Sequence, residues 1–286
     1  MRCLVIPLIM LFLVLVKMSA WQEPAAAQTA QVKARTAIAV WDTGRPAAAA
    51  LAPAAIAGEN DWSRIPLGKP ADSFQGDAIL SNGRIAVVLR KLDRAVEVYS
   101  LKPSGAVARL RLQLLSATEA ADRLEQIALV ERNRSSARLE VTFRTAEGAK
   151  IVSRFRLKRG EVAVQVEPGD GAIGLRVECP GRFVVLPEFF ANDVTIDAAD
   201  LPLERVALPN DNIVLHLTGQ GEAIGMCFFE KRKQDAQVTL GGTGRERRIT
   251  GSEISFEGQK IWVAVMEAPR IWHTHELMSS DSGKVI

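Results

Sequence analysis

"ARLEVTFRTAEGAKIVSRFRLKRGEVAVQVE" occupies residues 137–167 and decides the fold class. Apolar residues keep returning to one side: Leu139, Val141 and Phe143, then Ile151, Phe155 and Leu157, then Val162, Val164 and Val166. Successive side chains of a strand point to opposite faces, so a period of two writes one buried face and one solvated face. Glu147-Gly148 and Arg159-Gly160 interrupt the pattern where turns belong. The stretch predicts three strands of an antiparallel meander. Arg154, Arg156 and Lys158 line its other face. Cross-strand pairing with Glu161, Gln165 and Glu167 is favoured over an anionic-ligand stripe, because opposite charges facing across a hairpin are common.

The same grammar extends outward from this segment. "AILSNGRIAVVL" (78–89) sets Asn82-Gly83 between two apolar runs, a strong hairpin signal. "VEVYSLKPSGAVARLRLQLL" (96–115) repeats it around Pro103-Ser104-Gly105, and Leu110, Leu112 and Leu114 alternate with Arg109, Arg111 and Gln113. That alternation predicts a strand with one wet face. Further strands are expected at 173–179, 182–186, 212–218, 223–229, 236–240, 246–256 and 260–267. Ser116 and Glu119 form a possible capping box ahead of "AADRLEQI" (120–127), which predicts a short surface helix or a turn between strands. The chain is therefore expected to be all-β: a large antiparallel β-sandwich with at most one or two short helices.

Domain boundaries follow from composition. Arg2, the apolar run from Leu4 to Val16 and the small residues Met18-Ser19-Ala20 and Ala25-Ala26-Ala27 predict a signal peptide over 1–27. Lys17 after the apolar run supports the rival reading, an uncleaved N-terminal anchor. Residues 28–59 are rich in Ala and Pro and predict a disordered tether. The sandwich is placed at 60–277 and a flexible tail at 278–286. Export, to the periplasm, cell surface or outside, leaves Cys179 and Cys227 either as a disulfide or as two buried thiols.

Composition narrows the function classes. The 286 residues are 48% hydrophobic and carry a net charge of +3, which gives no argument for a nucleic-acid partner. Membrane contact is expected only through an uncleaved N-terminus. "GQGEAIG" (219–225) runs straight into strand-like residues, so it predicts a hairpin turn and no nucleotide loop. "GGTGRERRITG" (241–251) lacks phosphate-loop spacing, and no cofactor is expected. Glu188 and Asp193 in "LPEFFANDV" are weak candidates for an acid–base pair of glycoside hydrolysis. In "IWHTHEL" (271–277) His273 and His275 share a strand face if the strand runs on past Pro269. That spacing allows both to reach one metal ion, with His216 as third ligand. Solvated histidines are the favoured alternative, and no metal is assigned.

"GDAILSNGRIAVVLRK", "AVEVYS", "LPEFFANDV" and "GRERRITGSEISFEGQKIWVAVMEAPRIWHTHEL" together resemble a family of exported proteins of unknown function from planctomycete-like bacteria. The resemblance runs over roughly residues 70–277, and because members of that family tend to be longer it implies that this chain is an N-terminal portion or a truncated form. More loosely, the strand pattern is similar to the sandwich domains of mutarotase-like carbohydrate-active proteins. The resulting expectation is a non-catalytic recognition or structural module at the cell envelope, with a glycan or envelope component as partner. The alternative is a carbohydrate-active enzyme or part of one.

Overall fold

The computed structural model describes residues 37–58, 60–68, 73–187, 193–209, 212–231 and 234–273. The expected signal peptide, the whole of the expected tail, Glu188 and His275 lie outside them. In chain order the elements are β1 (Ala39–Asp42), α1 (Pro53–Ala57), β2 (Ser63–Arg64), β3 (Ala78–Ser81), β4 (Ile85–Leu89), β5 (Val96–Lys102), β6 (Gly105–Leu115), β7 (Arg123–Arg132), β8 (Ser136–Arg144) and β9 (Lys150–Lys158). Then come β10 (Ala163–Pro168), β11 (Gly174–Gly181), β12 (Phe183–Leu186), β13 (Val194–Asp197), β14 (Arg205–Ala207), β15 (Ile213–Thr218), β16 (Ala223–Phe229), β17 (Ala236–Gly241), β18 (Arg248–Ser255) and β19 (Ile261–Glu267). Single 3-10 turns sit at Ala198–Asp200 and Gly244–Glu246.

The strands form two antiparallel sheets. A ten-stranded sheet runs β14-β17-β18-β11-β6-β5-β4-β3-β1-β2, and a nine-stranded sheet runs β13-β12-β15-β16-β19-β10-β9-β8-β7. The all-β sandwich, with one short helix among the described residues, agrees with the sequence. One core fills the space between the sheets, with Leu89, Leu112, Val177 and Ile254 from one side and Leu139, Phe155, Val214 and Val263 from the other.

The opening meander has the expected parity. Leu139 pairs with Phe155 and Phe143 with Ile151 across β8–β9, and Phe155 meets Val166 across β9–β10. All five are buried, whereas Val162 lies ahead of β10 and stays half-buried. Opposite them the cationic stripe is paired. Arg154 contacts Glu140 at 2.8 Å, Arg156 lies 3.6 Å from Glu131, and Lys158 lies 3.4 Å from Glu161. Two of these partners come from β7 and β8, so the stripe is neutralised mainly from the side away from β10. Gln165 donates to Glu167 instead, at 2.7 Å.

Three segments depart from the sequence expectation. The first is the second half of the expected tether. β1 pairs along its length with β3, and Val40 is fully buried. The Asp42 carboxylate accepts from the backbone N–H groups of Gln75 at 2.7 Å and Gly76 at 2.8 Å, tying β1 to the entry of β3. Gly76 is required there, since a Cβ would stand 2.4 Å from the Arg45 nitrogen. α1 then lays Ile56 on the outer face of the ten-stranded sheet, over Ile79, Val88 and Tyr99, with Trp41, Leu51 and Trp62 packed around it. This Ala-rich stretch is ordered by a few large residues and borrowed backbone partners, neither of which leaves a periodic pattern.

The second is the segment after Ser116, expected as a short helix or a turn, where the turn is found and a strand follows it. Ser116 Oγ does accept from the Glu119 N–H at 3.0 Å, but this closes a turn, and residues 123–132 form β7. Register shifts between Leu124 and Gln126 and between Leu129 and Glu131 mark β-bulges. A bulge inserts an extra residue, so the buried Leu124 and Ile127 fall three residues apart, a spacing that imitates a helix turn, before Ile127 and Leu129 resume the strand period.

The third is the chain beyond Pro269. β19 ends at Glu267, and the Ile271 N–H donates to the Ala268 carbonyl at 3.2 Å in a turn. Residues 271–273 are not a strand, so the face-sharing alternation expected for 271–277 does not begin there. Trp272 turns back, and its indole N–H lies 2.9 Å from the Ala223 carbonyl and 3.1 Å from that of Thr218.

Candidate functional site: a charged groove on the ten-stranded sheet

β5, β6, β11, β18, β17 and β14 carry two rows of polar residues in register on the face away from the core. The first row reads Glu97, Arg111, Glu178, Gly251, Thr239, Arg205. The second reads Gln113, Arg176, Glu253, Gln237. Core packing of Leu112, Val177 and Ser252 fixes the parity, and each neighbour in sequence must then face outward. The expected wet face of β6 is thus a built surface, and Gln113 is only 3% exposed.

Side-chain bonds lock the rows. Arg176 Nε donates to Glu253 Oε1 at 2.8 Å, and its NH1 donates to Gln113 Oε1 at 3.1 Å. Gln237 Nε2 donates to Glu253 Oε2 at 2.6 Å, and Arg205 stands 3.4 Å from the same oxygen. Arg111 bridges Glu178 at 3.3 Å and Asp93 at 2.8 Å. Beyond Arg111 the row ends in a sealed cluster. Arg90 donates to Glu97 and Asp93, and the Tyr99 hydroxyl donates to Glu97 at 3.1 Å. Burial and the adjacent Glu97 carboxylate raise the Tyr99 pKa, so it remains a hydroxyl donor.

The rows open into a groove of about 440 Å³ lined by residues including Arg176, Glu178, Glu204, Arg205, Thr250 and Glu253. Gly251 stands between Glu178 and Thr239 in the first row and puts no side chain there. A Cβ at Gly251 would sit 2.0 Å from the Val177 carbonyl oxygen. A bulge in β11 after Glu178 and one in β18 at Thr250, opposite Thr239 and Leu240 of β17, flank this position. Bulges next to a site re-aim side chains, and these two bend the strands around the groove. Arg205 and Arg111 remain substantially exposed, with unspent N–H groups.

The sequence-derived candidates lie elsewhere. Asp193 is exposed just before β13, at the edge of the nine-stranded sheet. His273 is exposed after Trp272, whereas His216 points into the core. His216 Nε2 lies 2.7 Å from Ser252 Oγ, a contact that joins β15 to β18 across the two sheets. Burial lowers its pKa to about 4, so the ring is neutral at pH 7. The structure therefore gives His216 a core role and does not bring it together with His273. Among the described residues no three His, Cys, Asp or Glu side chains gather as metal ligands. Cys179 and Cys227 are buried free thiols, and burial pushes the Cys179 thiol up to about 12.

No sequence motif announced Arg176, Glu178, Arg205 or Glu253. The only local signal is a charge placed between apolar neighbours, as in "LRVEC" (175–179) and "SEIS" (252–255), and it says nothing about which strands become neighbours.

Comparison with known proteins gives a distant likeness. No family model matches the chain, and no curated protein matches it, so the resemblance of its phrases to an exported bacterial family finds no support there. Among solved structures it is similar to an alpha-N-acetylgalactosaminidase, NagBb from Bifidobacterium bifidum, in a quadruple mutant, with 9% identity, a TM-score of 0.39, and 72% of this chain covered against 36% of the other. It is also similar to the GH36 alpha-galactosidase AgaA from Geobacillus stearothermophilus, with 9% identity, a TM-score of 0.30, and coverages of 57% and 30%. The aligned part of this chain thus spans about a third of the length of these structures.

Proposed function

We propose that the chain is an exported, non-catalytic recognition module that holds a glycan in the groove around Arg176, Glu178, Arg205 and Glu253. The observation that carries this reading is the pair of in-register rows in which fixed guanidinium donors alternate with carboxylate and amide acceptors. A sugar presents neighbouring hydroxyls that both donate and accept, so it fits a surface offering both at strand spacing. The side chains are already ordered by one another, which lowers the conformational entropy lost on binding.

The same groove bears on the enzyme alternative. Glu178 and Glu253 are diagonal neighbours on β11 and β18 and so stand close enough to be considered as a carboxylate pair of glycoside hydrolysis. Each carboxylate, however, already accepts from an arginine at 3.3 Å or less. This is the arrangement of a binding ladder, whereas hydrolysis requires a carboxyl free to donate its proton to a leaving group.

Screening the purified chain on an array of neutral and acidic oligosaccharides, followed by calorimetry on the ligands found, tests the reading. Arg205→Ala should weaken binding about tenfold, the order expected for one charge-assisted hydrogen bond, with an unchanged melting temperature. Absence of any glycan ligand, or full affinity in Arg205→Ala, would overturn it. Release of a shortened sugar, seen by chromatography, would establish the enzyme alternative. Export is tested by mass spectrometry of the mature protein: a new N-terminus after Ala20 or Ala27 supports it, and an intact Met1 on membrane material indicates the anchor.

A further inference from the structure

The bulge near the end of β7 buries an arginine. Leu129 pairs with Leu139, but Glu131 pairs with Arg138 and Arg132 with Ala137, so Val130 is an extra residue in β7. Leu139 and Ala137 both belong to the core, and residues directly opposite each other on a ladder share a face. Without the bulge Arg132 would point outward. With it the side chain turns to the core side, where it is only 9% exposed. Bulges beside functional sites re-aim side chains in this way. The Nε and Nη1 groups of Arg132 are shielded from solvent and have no hydrogen-bond partner. Arg90 and Arg109 are comparably buried, with side chains 10% and 8% exposed, but each contacts a carboxylate, Glu97 at 3.1 Å and Glu222 at 3.2 Å. Among the described residues the charge that acts on Arg132 is that of Arg64, which has the same sign, and burial and Arg64 together lower the Arg132 pKa.

The surroundings add positive charge. β7 is the edge of the nine-stranded sheet, and β2, which carries Arg64, is the edge of the ten-stranded one. Arg64 is exposed and lies 5.6 Å over the Trp41 ring, a contact that leaves its charge uncancelled. Arg134 is exposed in the turn after β7. The Arg159 N–H donates to the Ser135 carbonyl at 2.8 Å, which brings the β9–β10 turn and the exposed Arg159 alongside. The carboxylates of these two turns are already engaged. Glu131 accepts from Ser136 at 2.7 Å and Asn133 at 2.9 Å and pairs with Arg138 at 2.9 Å, and Glu161 lies 3.4 Å from Lys158. A buried charge without a partner is destabilising until a counter-charge meets it. The planar N–H donors of a guanidinium match the oxygens of sulfate and phosphate groups.

We propose that Arg132 is the base of an anion site at this end of the sandwich, which takes a sulfate or phosphate group, with Arg64, Arg134 and Arg159 adding positive charge around it. The site is independent of the groove, because Arg205 stands on β14, at the opposite edge of the ten-stranded sheet from β2. Nuclear magnetic resonance titration of the whole chain with sodium sulfate or sodium phosphate, at an ionic strength held constant with sodium chloride, tests this. The Arg132 Nε–H resonance and the amides of 133–135 should shift to saturation in the unaltered protein. Arg132→Met should weaken binding about tenfold, the order expected for one charge-assisted hydrogen bond. In chloride alone its melting temperature should be no lower than that of the unaltered chain, because an apolar side chain replaces a buried charge that has no partner. Arg205→Ala should leave the titration unchanged. A sulfated oligosaccharide in the same titration separates the sources of the anion: tighter binding than free sulfate assigns a group carried on a polymer, and equal binding assigns the free ion. Absence of a saturable shift would overturn the proposal, as would the same shift with chloride in place of the oxoanion. So would unchanged saturation in Arg132→Met, and so would a lower melting temperature of that variant in chloride, which would make Arg132 a packing residue.

Discussion

On the ten-stranded sheet the residues opposite the core include Arg111, Gln113, Arg176, Glu178 and Glu253, and on the β15–β19 side of the nine-stranded sheet they include Leu215, Met226, Phe228 and Trp262. Both sets alternate with core residues at the same period. The polar set is consumed by its own neighbours: one glutamate, Glu253, serves Arg176, Gln237 and Arg205. The apolar set satisfies nothing within the sheet beyond side-by-side contact. An outer sheet face can therefore be completed by hydrogen bonds among its own side chains or be apolar, and the two read differently in sequence: "LRVEC" (175–179) alternates, whereas "AIGMCFF" (223–229) is a continuous apolar run. A third region lies between these extremes, since the Arg154–Glu140 pair on the nine-stranded sheet has the chemistry of the groove without its burial.

The strongest challenge to this contrast acts on the interior that both faces share. The unfolded His216 imidazole takes up a proton near pH 6.5 and the folded one only near pH 4. Unfolding therefore binds a proton within that window, and stability falls as pH drops through it. The difference between these values corresponds to about 3 kcal/mol. Urea denaturation at pH 7 and pH 4 should show that His216→Gln loses about 3 kcal/mol less than the unaltered chain over this interval. Equal losses would remove His216 from the acid-sensitive part of the core.

Next in size is Glu253→Ala. Glu253 is 7% exposed and is the common acceptor of the groove. Its removal leaves the Arg176 and Arg205 guanidiniums facing each other without an anion, for a loss of about 2–3 kcal/mol in urea denaturation together with loss of any glycan binding. A loss below about 0.5 kcal/mol, the level of an ordinary surface substitution, would show that the ladder is a solvated surface like its counterpart on the other sheet. The smallest effect belongs to that counterpart. Arg154→Ala breaks a pair whose side chains are 40% and 35% exposed, and the same measurement should register less than about 1 kcal/mol. If Arg154→Ala matched Glu253→Ala, burial would not be what separates the two ladders.

Much of the fold was legible from the sequence. Residues 137–167 gave three strands and their inward face, and the segments expected at 182–186, 223–229 and 260–267 are strands β12, β16 and β19. The misses have specific causes. Bulges changed the spacing of Leu124, Ile127 and Leu129. β1 lies in an Ala-rich segment and owes its order to Asp42 and to pairing with β3. The Pro269 turn ended a strand that the alternation alone would have continued. The groove was not legible at all, because Arg111, Glu178, Arg205 and Glu253 come from four separate strands and are joined only by pairing.

By itself the sequence determined the β class, the hairpins around Asn82-Gly83 and Glu147-Gly148, and which residues of β6, β8 and β9 face the core. These are local properties, because backbone geometry ties side-chain direction to sequence parity and turn chemistry to Gly and Asn. The tertiary structure alone decided that β11 lies between β6 and β18, that His216 meets Ser252 across the sheets, and that Glu253 gathers its donors from β11, β14 and β17. Strand order is a choice among long-range pairings, and the free energy that selects it comes from burying the whole core at once, so no single segment records it.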